Sequence, residues 1–315
     1  EHDLNGSKLP YLESISIQFI SDIQSEFMLF IQGKLDFINS IDSSYKDELL
    51  TPKGNLQPKY KNKLNIQKGP YLNTEYIGFY LDSKSPVINS KKIRKAINIG
   101  FNRELMIEYL RNNIGYSAKK GIIPIGLKGV SKYNFKYNPI KAKLLVQEFT
   151  RETGINNPEI TISTDSNYLD LCEFLQKELE KIGIEVKIDV MPTSILRKAK
   201  SSGNLEMFRA SWIADYPDAE NYLSLFYSKN HSPKGPNYTH YKNLTFDSIY
   251  EHTFKIKSIE KRIKSYKTMD SLMMNEYPIV PLYFDKVIRF SQKNVLGLNI
   301  NPINLLHLKK VKKLK

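Results

Sequence analysis

The sequence predicts an α/β protein, and the main observation behind this prediction lies in residues 159–228. There, short runs of alternating apolar residues are separated by stretches with helical periodicity, in the order β-α-β-α-β. Such crossovers make neighbouring strands parallel, so the carboxyl ends of the strands share one edge of the sheet, where open α/β sheets bind ligands. The predicted elements are a strand from Ile160, a helix over 167–181, a strand over 184–190, a helix from Thr193 and a strand over 205–212.

The chain before residue 159 also mixes strands with helices. Alternation predicts a half-buried strand over 14–20, and Asp22 is placed to cap a helix that ends at Gly33. Turn residues separate the elements that follow. These are short strands over 35–38 and 64–66, a strand over 76–81, two adjacent helices between Asn89 and Leu110 with Asn102 capping the second, and a helix over 141–153.

After residue 212 the pattern is mainly helical. Asp218 follows Pro217 and is the predicted N-cap of the next helix. A loop rich in Pro, Gly, Asn and Tyr separates this helix from the rest. The predicted elements are helices over 219–227, 246–254 and 259–275, a strand over 278–284 and a basic tail over 309–315.

The composition restricts the class of protein. With 315 residues, 41% hydrophobic and 25% charged, the chain is neither collagenous, disordered nor stapled by disulfides. The excess of 47 Lys+Arg over 33 Asp+Glu gives a net charge of +14, which favours an anionic partner or surface. The basic residues are spread over predicted helix surfaces without a groove-reading or base-stacking motif, so we expect no nucleic-acid partner. No apolar run reaches the ~18 residues of a membrane span.

Enzyme signatures are missing from the sequence. It contains no Gly-x-Gly-x-x-Gly, His-Glu-x-x-His or Gly-x-Ser-x-Gly motif. The single cysteine, Cys172, excludes an internal disulfide, and its amphipathic surroundings favour a buried thiol. His231 and His240 lack the spacing of metal ligands. We therefore expect no cofactor, no metal and no catalytic activity.

One run of residues lies where the fold would place a ligand. Trp212, the only tryptophan, ends the third parallel strand, three residues after Arg209 and three before Asp215. A carboxylate can pair with a ligand ammonium, an indole offers a flat apolar wall, and backbone groups at a strand end can bond an extended chain. The residues also fit a second interpretation, in which Trp212 is core and Asp215 belongs to the turn before the next helix.

Seven segments of the chain, in order, resemble the extracytoplasmic solute-binding proteins of ABC importers, specifically the oligopeptide, dipeptide and nickel-binding family (family 5). The resemblance covers nearly the whole chain. Its most specific segment runs from Trp212 to Tyr222 and begins with the Trp-x-Ala-Asp-Tyr-Pro-Asp run, which ends at Asp218. The others are Leu9-Pro10-Tyr11-Leu12, Gly33-Lys34-Leu35-Asp36, Ile93-Arg94-Lys95-Ala96-Ile97 with Asn102-Arg103, Tyr137-Asn138-Pro139 with Lys141-Ala142, 179–186 and 278–283.

The resemblance implies a fold like that of type II periplasmic-binding proteins, in which two α/β lobes with mixed sheets close on a ligand. Leu9-Pro10-Tyr11 normally falls well inside a family member, so the resemblance implies that roughly two hundred N-terminal residues, the size of a large domain, are absent. The lobe to which they belong is then incomplete. On this basis residues 1–85 are part of the first lobe, 86–284 form a nearly complete second lobe, and 285–315 return to the first lobe and end in the basic tail.

The resemblance also implies roles for individual residues. In peptide-binding members the aspartate of the Trp-x-Ala-Asp pattern pairs with the α-ammonium of the peptide, which assigns that role to Asp215. Trp212 then lines the crevice. Ser211 and Ile213 offer backbone hydrogen bonds to the ligand.

Two basic residues are candidates for the other end of the peptide. Arg209 matches an arginine that in some oligopeptide binders helps to neutralise the peptide carboxylate, although dipeptide and nickel binders differ there. Lys200 is the weaker candidate for the same role.

The resemblance implies that the protein captures short peptides and delivers them to the permease subunits of an ABC importer. It would work in the periplasm or on a lipid anchor outside the cytoplasmic membrane. Nickel or another small solute is an alternative ligand. A hydrolase that uses Asp215 and Asp218 as paired carboxylates is an alternative from another class.

Overall fold

The computed structural model describes residues 1–131 and 133–314, and the chain divides into two compact units. The first unit comprises Glu1–Tyr71, Glu108–Gly115 and Asp285–Lys315, and the second comprises Leu72–Ile107 and Tyr116–Phe284. The second unit therefore begins at Leu72. The lobe boundaries inferred from the sequence stay a prediction.

Helices and short strands alternate along the chain with two much longer strands. In chain order the elements are α1 (Ile23–Ile31), β1 (Phe37–Ile38), α2 (Lys46–Leu49), β2 (Leu64–Phe79), α3 (Pro86–Asn89), α4 (Lys91–Gly100), α5 (Arg103–Arg111), β3 (Tyr116–Ser117), α6 (Pro139–Thr153), β4 (Glu159–Thr164), α7 (Leu169–Glu180), β5 (Glu185–Val190), α8 (Thr193–Ser201), β6 (Met207–Ile213), α9 (Glu220–Leu223), α10 (Leu244–Thr253), α11 (Ile259–Glu276), β7 (Ile279–Gln292), β8 (Val295–Leu296) and β9 (Lys312–Lys313).

The second unit is built on a mixed sheet in the strand order β7-β2-β6-β4-β5, with β3 paired to β7. β4 runs parallel to β5 and to β6, with Ile162 opposite both Ile188 and Met207. β2 runs antiparallel to β6. The predicted β-α-β-α-β order and the α/β fold class are therefore confirmed. The carboxyl ends of β4, β5 and β6 lie at one edge of this sheet.

The core of the first unit forms around the apolar face of α1. Phe27 and Phe30 pack there with Leu49, Leu50 and Phe290. β1 pairs antiparallel with β7, and β8 pairs with β9.

The helix starts follow the predicted capping pattern. Oδ1 of Asp22 accepts the N–H of Ser25 at 2.7 Å before α1. Oδ1 of Asn102 accepts the N–H of Leu105 at 3.1 Å at the start of α5. Each cap gives an acceptor to a backbone N–H that has no partner inside its helix.

One strand prediction near the N-terminus is wrong, and two predicted strands are joined into one. Residues 14–20 form no strand, and Ile17 and Phe19 are 73% and 97% exposed. Alternation of side chains does not make a strand by itself, because the backbone also needs a neighbouring strand to pair with. Conversely, the strands predicted separately over 64–66 and 76–81 belong to the single strand β2, whose middle is polar and half exposed.

Cys172 is fully buried in α7, as predicted. Burial raises the pKa of its thiol to about 11, so the thiol stays protonated near neutral pH and is a poor nucleophile. Within residues 1–131 and 133–314, none of the helices combines the length and the apolar character that crossing a membrane requires.

A buried carboxylate holds the loop between β3 and α6. Asp270 of α11 is fully buried, its Oδ1 accepts the N–H of Ile122 at 3.3 Å, and its Oδ2 accepts the N–H of Ser131 at 3.1 Å. Gly121 has φ +121°, and a Cβ at this position would collide with the Asp270 carboxylate. Burial raises the pKa of Asp270 to about 6, against the hydrogen bonds from Ser131 and Ile122.

We expect Asp270→Asn to remove a pH dependence of stability. The pKa of Asp270 is about 6 in the folded chain against an ordinary value of 3.8, so the folded state binds more protons between these values. The free energy of unfolding of the wild type, relative to the variant, should therefore fall as the pH rises from about 4 to about 6, by on the order of 3 kcal/mol. Denaturant unfolding at several pH values measures it. The exposed Asp189→Asn is the control, and a pH-independent difference for Asp270→Asn would contradict the assignment.

Candidate ligand-binding site

The carboxyl end of β6 extends past its parallel neighbour. β4 is opposite β6 as far as Phe208, which faces Ser163, and β4 ends at Thr164. The following stretch of β6 is paired with β2, on its other side. Within the residues that the structure describes, no strand pairs with the β4-facing side of β6 beyond Phe208. This open edge of β6 can accept an extended chain through its backbone groups.

The predicted site residues on β6 lie on opposite faces of the sheet. Side chains alternate along a strand, so Arg209, Ser211 and Ile213 share one face, whereas Trp212 lies on the other. Ser211 and Trp212 are half-buried, and Ile213 is 44% exposed. Trp212 and Arg209 therefore do not line one wall together, although the sequence placed them at the same strand end.

Trp212 and Asp215 are brought together by Asn221, a residue of α9. The side chain of Asn221 is buried, and its Oδ1 accepts the indole N–H of Trp212 at 2.7 Å and the backbone N–H of Asp215 at 3.3 Å. Its amide nitrogen donates to Oδ2 of Asp215 at 3.4 Å. Asp215 itself is exposed, and no cation of the described chain lies within 4 Å of its carboxylate. This carboxylate is oriented but not neutralised.

The side chain of Asp218 is used in contacts within the protein. Its Oδ1 accepts the N–H of Glu220, the first residue of α9, at 2.9 Å, and its Oδ2 is paired with Arg262 at 3.0 Å. The N-cap of α9 is Ala219 and not Asp218, so the predicted N-cap lies one residue too early. A carboxylate that binds a backbone N–H and a guanidinium is poorly placed to share a reacting bond with Asp215. The arrangement gives no support to the paired-carboxylate hydrolase.

Arg209 is engaged within the chain. Its Nη2 forms an ion pair with Glu75 of β2, which is itself fully buried, and its guanidinium carbon lies 3.1 Å from the ring centroid of Tyr168. Burial alone would lower the pKa of Arg209, but the carboxylate of Glu75 holds it above its ordinary value. Nε of Arg209 is buried without a hydrogen-bond partner. Arg209 thus keeps one unused donor while its charge is balanced.

Lys200 of α8 is the more available cation. Its Nζ lies 4.6 Å from the ring centroid of Tyr238 and 6.0 Å from that of Phe208. In the described part of the chain no carboxylate oxygen lies within 4 Å of this ammonium. Burial, with the charges of Arg209 and Arg197, lowers the pKa of Lys200 to about 8.

Two residues of this region were missed by the sequence analysis. Asn221 lies inside the Trp-x-Ala-Asp segment, but nothing in the spacing shows that its amide reaches back to Trp212. Glu75 lies within the buried end of β2, and an acidic residue in a strand that continues into an apolar run is the signal that could have indicated a buried partner such as Arg209.

The described residues contain no group of three or more His, Cys, Asp or Glu side chains placed to hold a metal ion. His231 and His240 stack with ring centroids 4.5 Å apart, and Nδ1 of His240 lies 2.7 Å from Oδ2 of Asp82. Their ring nitrogens are used in hydrogen bonds within the loop.

The geometry is that of an α/β unit with an open strand edge, the oriented carboxylate of Asp215, and the ammonium of Lys200, which has no ion-pair partner in the described chain. Residues 3–234 match the family described as bacterial extracellular solute-binding proteins, family 5 (middle region). The chain belongs to this family, which confirms the resemblance found in the sequence.

Known proteins support the same assignment. Glutathione-binding protein GsiB of Salmonella choleraesuis (strain SC-B67) is 26% identical over 302 residues, which cover 93% of this chain and 56% of GsiB. The structure of DppA from Helicobacter pylori in complex with the peptide STSA superposes with a TM-score of 0.80 at 22% identity, covering 94% of this chain and 56% of DppA. AppA of Bacillus subtilis in complex with a nonapeptide gives 0.76 at 22% identity, covering 94% and 59%.

These structures show that the fold is that of the type II periplasmic-binding proteins. The chain spans about half the length of the curated relatives it matches, 56% in the case of GsiB.

We expect Asn221→Ala to disturb the surroundings of the only tryptophan. The change leaves the indole N–H of Trp212 and the backbone N–H of Asp215 without their acceptor, which should lower the free energy of unfolding by about 1 to 3 kcal/mol. Intrinsic tryptophan fluorescence and denaturant unfolding report the two effects. Asn157→Ala, at an exposed position, should change neither. An unaltered emission spectrum in Asn221→Ala would contradict the role of Asn221.

Proposed function

We propose that the protein is the solute-binding component of an ABC importer, that it captures short peptides outside the cytoplasmic membrane, and that it delivers them to the permease subunits. The observation that carries this proposal is the Asp215 carboxylate, which is exposed, held by Asn221 and not paired with a cation of the described chain. It lies directly after the part of β6 whose edge is open.

This arrangement suits the constant parts of a peptide. The ammonium group of a peptide complements Asp215, and its backbone complements the open edge of β6 at Ser211 and Ile213. Variable side chains need no fixed partner, since bridging waters can satisfy polar groups in loose pockets. Trp212 contributes an apolar wall on the face opposite Arg209.

The carboxylate of the peptide has two candidate partners. Arg209 is already balanced by Glu75 and offers its remaining donors, among them the unsatisfied Nε. Lys200 has no carboxylate partner in the described residues, and its lowered pKa means that a nearby anion would stabilise its charged form. We infer that Lys200 contributes more of the charge that a ligand carboxylate meets.

Relatives of this chain support a peptide as the ligand. They include proteins described as binding glutathione, the peptide STSA and a nonapeptide. All three ligands combine an ammonium group, amide bonds and carboxylate. No observation among the described residues favours nickel or a hydrolase.

We expect Asp215→Asn to weaken binding of free-amine peptides by at least about tenfold, because a charged hydrogen bond to the ammonium is lost. N-acetylated peptides should be affected much less. Calorimetric titration of tri- to pentapeptide pools into this chain measures both. Equal weakening of the free-amine and acetylated pools would remove Asp215 from the ammonium site.

A second prediction concerns pH. The ammonium of Lys200 is progressively lost above its pKa of about 8, so the preference for free-acid over amidated peptides should fall towards one as the pH rises past this value. Because both peptides keep the same free amine, its own titration cancels in the ratio. Lys200→Met should abolish the preference at all pH values, whereas Lys198→Met, at an exposed position of the same helix, should not. A preference that survives in Lys200→Met but disappears in Arg209→Ala would assign the carboxylate to Arg209.

A further inference from the structure

A second pocket lies in the same unit but involves none of the residues discussed above as a ligand site. It is a surface cavity of about 330 Å³ beside the N-terminus of α6. Lys95 of α4, Lys136 of the preceding loop and Lys141 of α6 line it together with Tyr133 and Tyr277. Its volume falls within the range of pockets that bind small molecules.

The walls of this cavity are fixed before any ligand arrives. The N–H of Phe135 donates to the carbonyl of Lys119 at 2.8 Å, and the N–H of Asn138 donates to the carbonyl of Ile99 at 2.8 Å, so both ends of the lining loop are anchored. The hydroxyls of Tyr133 and Tyr277 are hydrogen-bonded at 2.6 Å across the cavity wall. The backbone of the lining loop therefore has little conformational entropy to lose on binding, whereas the exposed side chains of Lys136 and Lys141 still lose rotamer freedom.

The backbone of Tyr277 is held as well. Nε of Arg94 donates to the carbonyl of Tyr277 at 3.1 Å, and Tyr277 is buried. Phe135 is also buried and forms the apolar part of the lining. The cavity therefore combines an apolar floor with a polar, basic rim.

The charge of this rim is not balanced within the described chain. Among residues 1–131 and 133–314, three lysines and no carboxylate line the cavity, and none of these three lysines has a carboxylate oxygen within 4 Å. Other lysines of α4 differ: Lys91 is paired with Glu276 at 2.7 Å, and Lys92 is paired with Glu148 at 3.4 Å and also contacts Glu152. Glu276, which precedes Tyr277 in the chain, is therefore already paired with Lys91.

We propose that this cavity binds the phosphate group of a small phosphate monoester. Several ammonium groups around one cavity repel each other unless an anion joins them, and a phosphate monoester carries a charge of about −1.5 to −2 near pH 7. Lysine is a common point-charge partner of phosphate. The volume exceeds what the anion alone needs, so the organic part of the ester contacts Tyr133, Tyr277 and the amide of Asn134. The same monoester group occurs in soluble metabolites and in the headgroup of phosphatidate.

The test uses this chain with two soluble probes, inorganic phosphate and glycerol phosphate, and with vesicles of phosphatidate in phosphatidylcholine. Calorimetry follows the soluble probes, and co-sedimentation follows the vesicles. The variant Lys95→Gln/Lys136→Gln/Lys141→Gln should weaken lysine-dependent binding by about a hundredfold. The matched control Lys261→Gln/Lys264→Gln/Lys267→Gln removes the same charge from exposed positions of α11 and should leave binding within about twofold of the wild type.

The soluble probes and the vesicles distinguish the two sources of the phosphate group. Tighter binding of glycerol phosphate than of inorganic phosphate, reduced by Tyr133→Phe or Tyr277→Phe, supports a soluble ester. Binding to phosphatidate vesicles alone, lost in the cavity variant, supports the lipid headgroup. Equal losses in the cavity and control variants, or no binding of any probe by the wild type, would overturn the proposal. None of these outcomes depends on peptide binding at Asp215.

Discussion

The pairing of β6 determines what the second unit can do. β6 is hydrogen-bonded to β4 along its first residues and to β2 along its whole length, so it leaves the parallel layer before it ends. In the described chain, the last residues of β6 pair with β2 on one side and with no strand on the other. Because β2 holds these residues, they keep the rigidity of a sheet, while their open backbone edge is available to a ligand. The strand also places Asp215 at a defined position.

Buried polar pairing then decides which charged groups are left for a ligand. Glu75 neutralises Arg209 inside the sheet, and Arg262 neutralises Asp218 beside it. Breaking the buried pair of Glu75 and Arg209 would leave a buried charge without its partner, whereas the pair of Asp218 and Arg262 is partly exposed and weaker. The charged groups that remain available to a ligand are Asp215 and Lys200, which form no ion pair in the described chain.

Much of this fold could be predicted from the sequence, because its elements are specified locally. The alternation in β5 and the cap at Asp22 involve residues close together in the chain, and both were identified correctly. The failures involve partners far away in the sequence. Residues 14–20 have the side-chain pattern of a strand without a neighbour to pair with, and the polar middle of β2 concealed its continuity. For the same reason, the contacts of Asn221 with Trp212 could not be read from spacing.

The position of β2 has a consequence for how the chain is made. Its end, from Leu72 to Phe79, is continuously buried, and it pairs with β6 and neighbours β7, both of which are synthesised much later. During synthesis this stretch exists without its partners, and pairings between such distant segments form slowly. It includes Glu75, whose partner Arg209 lies on β6 and is not yet made. An unpaired strand is a template for association with other chains. Until β6 is complete, the strand that later lies inside the sheet is therefore open to pairing with other chains.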